Sequence, residues 1–188
     1  MSESRTSSRM VESTTQYIND LFENTSKIQV VRVDLSYLKD HADQASLEDI
    51  NNDLTHLLNN RRTKPSIFKN MVGYIAKREY TDEKGPHIHG LFFFDGHKIS
   101  KDAHKGDQLG EYWSNEITKG KGIHHNCNRE KMKYSDCALG MIDHTDQAKR
   151  TILNDKAIGY LCKVDQSIDP IKQSGYERSF TRGISPPP

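Results

Sequence analysis

The stretch "YIAKREYTDEKGPHIHGLFFFDG", Tyr74 to Gly96, constrains the fold more than any other part of the chain. Two runs of β-forming residues flank the turn residues "TDEKG", and the second run stops at Asp95-Gly96. The pattern predicts an antiparallel hairpin. Alternation along the second strand puts His87, His89, Leu91 and Phe93 on one face, and Ile88, Gly90, Phe92 and Phe94 on the other. An even register across the hairpin pairs Glu79 near His87 and sets it, with Lys77 and Ile75, on the histidine face. A slip of one residue would send Glu79 to the opposite side. Two neutral imidazoles spaced two apart can reach one metal ion, and a carboxylate is the harder third ligand that Mg²⁺ or Mn²⁺ requires. His87, His89 and Glu79 are therefore the candidate metal ligands.

The remaining pattern fills in an α+β domain. "KIQVVRVDLSYL" reads as a strand with Val31, Val33, Leu35 and Tyr37 on its apolar face and Arg32, Asp34 and Ser36 in a polar row. "SLEDINNDLTHLLNN" is a capped amphipathic helix whose stripe is Leu47, Ile50, Leu54, Leu57 and Leu58. "SKDAHKGDQLGEYWSNEIT" is helical despite Gly106 and Gly110, "ALGMID" is a short strand, and "HTDQAKRTILNDKAIGYLCKVD" is a helix with Leu153, Ala157, Leu161 and Val164 on one stripe. The order strand, helix, strand, strand, helix, short strand, helix favours an antiparallel β-sheet with helices packed mainly on one face. Residues 1–26 form a flexible or partly helical lead, with one or two helical turns in "YINDLFENT". Residues 27–165 form the domain, and 166–188 a loop-like tail.

The 188 residues suit one domain, and 27 Lys+Arg against 26 Asp+Glu leave a net charge of +1. A nucleic-acid partner would then need basic residues segregated to one surface. The excursion "KGKGIHHNCNREKMKY" offers Lys119, Lys121, Arg129, Lys131, Lys133 and Tyr134 as a track for single-stranded DNA. Arg32 and Asp34 border the histidine strand, where Asp34 can orient a metal-binding imidazole. His124, His125, Cys127 and Cys137 are a rival zinc set with no standard spacing. No apolar run is long enough for a bilayer, no signal-peptide core opens the chain, and the three cysteines follow no disulfide framework. These features point away from a membrane and toward a reducing cytoplasm.

On the last helix, Tyr160 and Lys163 lie three apart and share a face, with Lys156 four residues before the tyrosine. A nearby ammonium favours the phenolate and can neutralise a phosphate. Taken together, "HIH" on a strand, a preceding glutamate, "RVDL" on the first strand and "YLCK" near the end resemble the HUH endonucleases. The match is nearest to single-tyrosine rolling-circle replication initiators of the inovirus type, and it runs from about Lys27 to Lys163. The resemblance implies an RRM- or ferredoxin-like core and a Mg²⁺ or Mn²⁺ ion on His87, His89 and Glu79. It implies Tyr160 as a nucleophile forming a 5′-phosphotyrosine, and Lys163 as the charge stabiliser. The implied partners are single-stranded DNA at an origin hairpin, with a host helicase and polymerase, in the cytoplasm of a prokaryotic cell. A single-tyrosine transposase, a mobilisation relaxase and a non-catalytic DNA-binding module are the alternatives. Tyr134 and Tyr176 are the other candidate nucleophiles.

Overall fold

The computed structural model describes residues 8–163, 168–172 and 178–184. Six antiparallel strands form one sheet: β1 (Lys27–Tyr37), β2 (Met71–Thr81), β3 (Gly85–Asp95), β4 (Gly122–Asn126), β5 (Gly140–Asp143) and β6 (Phe180–Ile184). Their spatial order is β4-β1-β3-β2-β6, and β5 pairs with the start of β1 beyond β4. The first four strands thus run 4-1-3-2, the split βαβ arrangement of ferredoxin-like folds. The α+β class and its antiparallel sheet are as the sequence predicts.

Strand alternation divides the core. Val31, Val33 and Leu35 of β1 join Ile88, Phe92 and Phe94 of β3 on one face. There they meet α3 (Leu47–Asn59), the short α2 (Lys39–Ala42) and α4 (Pro65–Phe68), and α5 (Asp102–Tyr112) with its π-helical extension Trp113–Ile117. The N-terminus of α3 carries a reciprocal capping box between Ser46 and Asp49. Each fully buried Phe or Leu here contributes roughly 1.5–3 kcal/mol of transfer free energy.

The other face carries a second, partial layer that the sequence left out. α1 (Ser8–Asn24) is a 17-residue helix, longer than the one or two turns expected, and it buries Tyr17, Ile18, Leu21 and Phe22. Its Ser/Thr-rich beginning hides the period, but the stripe from Thr14 to Phe22 has a partner in Ile75, Leu91 and Phe93. The C-terminal helix packs beside it through α6 (Gln147–Ile152), the π-helical segment Leu153–Ile158 and α7 (Gly159–Leu161). Two further strands also escaped the sequence pattern. β4 lies inside the basic excursion, and β6 lies in the tail expected to be loop. Both are five residues long and sit on sheet edges, where alternation has little length to register.

Gly106 and Gly110, which weaken the helical pattern of α5, have a packing role. A Cβ at Gly110 would collide with the His124 ring, and one at Gly106 with the Asn126 amide. One bare helical face therefore lets α5 press against β4. Asn126 then donates to Ala103 O and Asp107 Oδ1, both at 2.7 Å, and fastens the contact. Gly110→Ala is expected to cost about 1–3 kcal/mol by overpacking despite its better helix propensity, read as a lower urea midpoint.

Candidate metal centre and tyrosine site

The β2–β3 hairpin takes the even register. Glu79 stands opposite His87, and Lys77 opposite His89. β1 lies on the other side of β3, with Asp34 opposite His89. Side chains directly opposite share a face, so Lys77, Glu79, His87, His89 and Asp34 all project from one side of the sheet. The histidines are buried there rather than on an open face, because α1 and the C-terminal helix roof the neighbouring rows.

The two imidazoles are oriented alike. His87 Nδ1 donates to Gly85 O at 2.9 Å, and His89 Nδ1 donates to Asp34 Oδ1 at 2.9 Å. Both partners are acceptors, which assigns the protons to Nδ1 and turns both Nε2 atoms toward Glu79. The distances to Glu79 Oε2 are 3.7 Å from His87 Nε2 and 3.1 Å from His89 Nε2. One donor atom from each residue falls within 4.8 Å of the others. Two nitrogens and one carboxylate oxygen, each with its second atom tied off, fit a divalent ion. The nitrogen content favours Mn²⁺ over Mg²⁺.

Without an ion the cluster balances itself. Lys77 Nζ lies 2.5 Å from Glu79 Oε1 and donates to Lys163 O at 2.7 Å. Burial works against the Glu79 carboxylate, but the bonds from His87, His89 and Lys77 outweigh it and hold its pKa well below the usual range. Burial also opposes the His89 imidazolium, yet Asp34 and Glu79 together raise its pKa above the ordinary value. Asp34 is likewise held below its usual value, despite burial, by His89 and Arg32.

Tyr160 stands over this cluster. Its ring centroid is 5.6 Å from that of His89, and the Arg32 guanidinium sits 5.2 Å from it. Lys163 Nζ is 5.9 Å from the same centroid. Burial and the Glu79 charge raise the phenol's pKa, against the pull of Arg32. The π-helical segment sets this aim. An extra residue in the turn brings Ile158 onto the buried stripe with Leu153 and Leu161, and leaves Tyr160 outward. Ala157 is only half-buried, and Val164 lies outside the described residues. A cleft of about 200 Å³ opens at the end of this helix, with Lys77, Arg78, Leu161, Lys163 and Lys172 in its lining; Tyr160 does not line it.

The other sequence candidates fall elsewhere. Lys156 pairs with Asp136 on the surface. Lys119 and Lys121 are exposed in the turn before β4. Arg129, Lys131 and Lys133 pair with Asp107, Asp102 and Glu130, so these charges fasten their own loop as well as facing solvent. The zinc set does not converge. His124 bonds Ser114 and packs on Gly110, whereas its strand neighbour His125 projects to the other face near Glu130. Burial pushes the Cys127 thiol up to about 11, away from the thiolate that zinc takes. Glu79, His87 and His89 are the one metal-competent group among the described residues. Tyr176 lies outside the described residues. Lys77 was assigned a face from the sequence but no role; its contact with Glu79 emerges only when the register is fixed.

Residues 2–181 match the YagK/YfjJ C-terminal domain family. The chain belongs to that family. No curated protein and no solved structure matches it. In this family member, calorimetry with Mn²⁺ is expected to detect one site that Glu79→Ala removes. Asp34→Asn should weaken it by about 10–100-fold through loss of imidazole orientation. Because His89 holds its proton more tightly than usual, affinity should climb as pH rises through its raised pKa.

Proposed function

We propose that this chain nicks and rejoins single-stranded DNA at a replication origin, with Tyr160 as nucleophile and a 5′-phosphotyrosine as intermediate. The observation that carries the reading is the position of Tyr160. It is the exposed tyrosine whose ring abuts His89, above two imidazoles whose Nε2 atoms converge on one buried carboxylate. The proposed ligands His87, His89 and Glu79 suit Mn²⁺ or Mg²⁺, and a divalent ion bound there would polarise the scissile phosphate and offset the Glu79 charge.

The chain's own residues do the rest. Tyr160 Oη bonds to phosphorus as the bond to the 3′ oxygen breaks, and the proton balance closes on the leaving 3′ hydroxyl. Arg32 and Lys163 are the two cations at the phenol ring, so they favour the phenolate and the charge of the transition state. Asp34 keeps the His89 ring in place, and Lys77 keeps Glu79 turned toward the histidines. Reversal of the step joins ends, since the phosphotyrosine retains the bond energy. A host helicase and polymerase would open the duplex and extend the freed 3′ end.

The test is a denaturing gel of labelled origin-strand oligonucleotides incubated with protein and Mn²⁺. A covalent adduct is expected that EDTA prevents and Tyr160→Phe abolishes, while Lys163→Ala slows its formation by about 10²-fold. An adduct that survives Tyr160→Phe would move the nucleophile to another residue. Absence of any adduct across candidate origins would favour a DNA-binding module without chemistry.

A further inference from the structure

The sheet face away from Tyr160 holds two arginines with no acid to answer them. From Leu54 to Arg78 the chain carries Arg61, Arg62, Lys64, Lys69, Lys77 and Arg78, and neither Asp nor Glu. Lys64 pairs with Glu116 and Lys77 with Glu79, but among the described residues no carboxylate pairs with Arg61 or Arg78. Arg78 is only 8 % exposed, and burial lowers its pKa. Its Nη1 donates to Thr181 Oγ1 at 2.8 Å and to Arg178 O at 3.4 Å, while its Nε is buried without a partner among the described residues. Arg61 Nε donates to Leu58 O at 2.7 Å, in the last turn of α3, and its Nη1 is likewise buried without a partner. Each guanidinium thus spends one nitrogen on the protein and leaves a two-nitrogen edge over: Nε with Nη2 on Arg78, and Nη1 with Nη2 on Arg61. A buried charged donor left without a bond is costly.

Tyr74 joins the two. Tyr74, Ala76 and Arg78 alternate onto one face of β2, and the pairing with β6 sets Ala76 opposite Thr181 and Tyr74 opposite Gly183. A Cβ at Gly183 would lie 2.7 Å from Tyr74 Oη, so the glycine lets the phenol lie across β6. The Arg78 guanidinium at Thr181 and the Tyr74 hydroxyl at Gly183 therefore stand two residues apart along one strand, about 7 Å. Arg61 closes the other side, with its guanidinium carbon 5.6 Å from the Tyr74 ring centroid. The Tyr74 hydroxyl makes no hydrogen bond among the described residues; the bonds of Tyr74 to Tyr17 use its backbone. We infer that Arg78, Tyr74 and Arg61 form a phosphate-binding site on the face opposite the metal centre. A planar guanidinium edge matches two oxygens of an oxyanion at once. One such edge satisfies a carboxylate, whereas two edges and a phenol suit the larger charge and the additional oxygens of a phosphate. The site does not rest on the nicking reading, since it shares no residue with the Tyr160 cluster.

The test is calorimetric titration of the full chain with inorganic phosphate, in EDTA and at an ionic strength matched with chloride. One saturable site is expected. Tyr74→Phe and Arg61→Gln should each weaken it by about 10-fold, and Arg78→Lys, which keeps the charge but loses the planar edge, by at least as much. Thermal melts check that each variant folds. Tyr74→Phe deletes a hydroxyl that the fold does not use, so its result stands even where Arg78→Lys fails to fold. A single-stranded oligonucleotide then separates two sources of the phosphate. Displacement of phosphate by the oligonucleotide, with weaker oligonucleotide binding in Tyr74→Phe, identifies a nucleic-acid backbone phosphate. Phosphate binding that the oligonucleotide leaves untouched identifies a small phosphate compound, and both results support the site. Absence of saturable phosphate binding would overturn the inference. So would binding that survives all three variants, or binding that Arg32→Gln abolishes instead, since the phosphate would then sit beside Tyr160.

Discussion

A carboxylate that is 98 % hidden governs this structure, for Glu79 is only 2 % exposed. A buried charge left alone costs several kcal/mol, so everything around it must answer that cost. Lys77 answers it from the same strand, and His87 and His89 from the next. Asp34, one strand further, holds His89 in the required orientation. Three adjacent strands thus contribute to one electrostatic unit, and the unit exists only in one register. The cluster balances in the absence of metal through Lys77 and the His89 proton.

The two faces of the sheet divide the work. One is closed over by α3 and α5 around Phe92, Phe94, Leu54 and Trp113, and gives the domain its stability. The other is covered only in part. α1 and the C-terminal helix seal the rows of Leu91 and Phe93, while the rows of β1 and β4 nearest the loops stay open. The charged cluster sits at the boundary between them. Burial there strengthens its electrostatics, while Tyr160 above it stays partly exposed. The π-helical segment ties the two parts together, since it decides that Tyr160 and not a neighbour stands over His89.

The hairpin, its register and the separation of His87 and His89 from Ile88, Phe92 and Phe94 were legible in the sequence, because period-two alternation and a turn cluster are local signals. So was the capped helix at Ser46. Asp34 was legible as a partner for a histidine of the neighbouring strand, but not which one, since strand order and register are long-range properties. Three things were hidden for separate reasons. α1 begins in a Ser/Thr-rich stretch whose composition resembles a loop, β4 and β6 are too short for alternation to stand out, and the π-helical turn shifts the 3.6-residue phase on which the Leu153, Ala157, Leu161 stripe was built. Lys77 was hidden by chemistry: a lysine on a strand reads as surface until its carboxylate partner is found.

The central claim is that His87, His89 and Glu79 together hold a divalent ion beneath Tyr160. Anomalous diffraction from a crystal soaked in Mn²⁺ tests it most directly. One strong peak is expected among the two Nε2 atoms and Glu79 Oε2, with Lys77 still on Oε1. A peak elsewhere, or no peak, would contradict it.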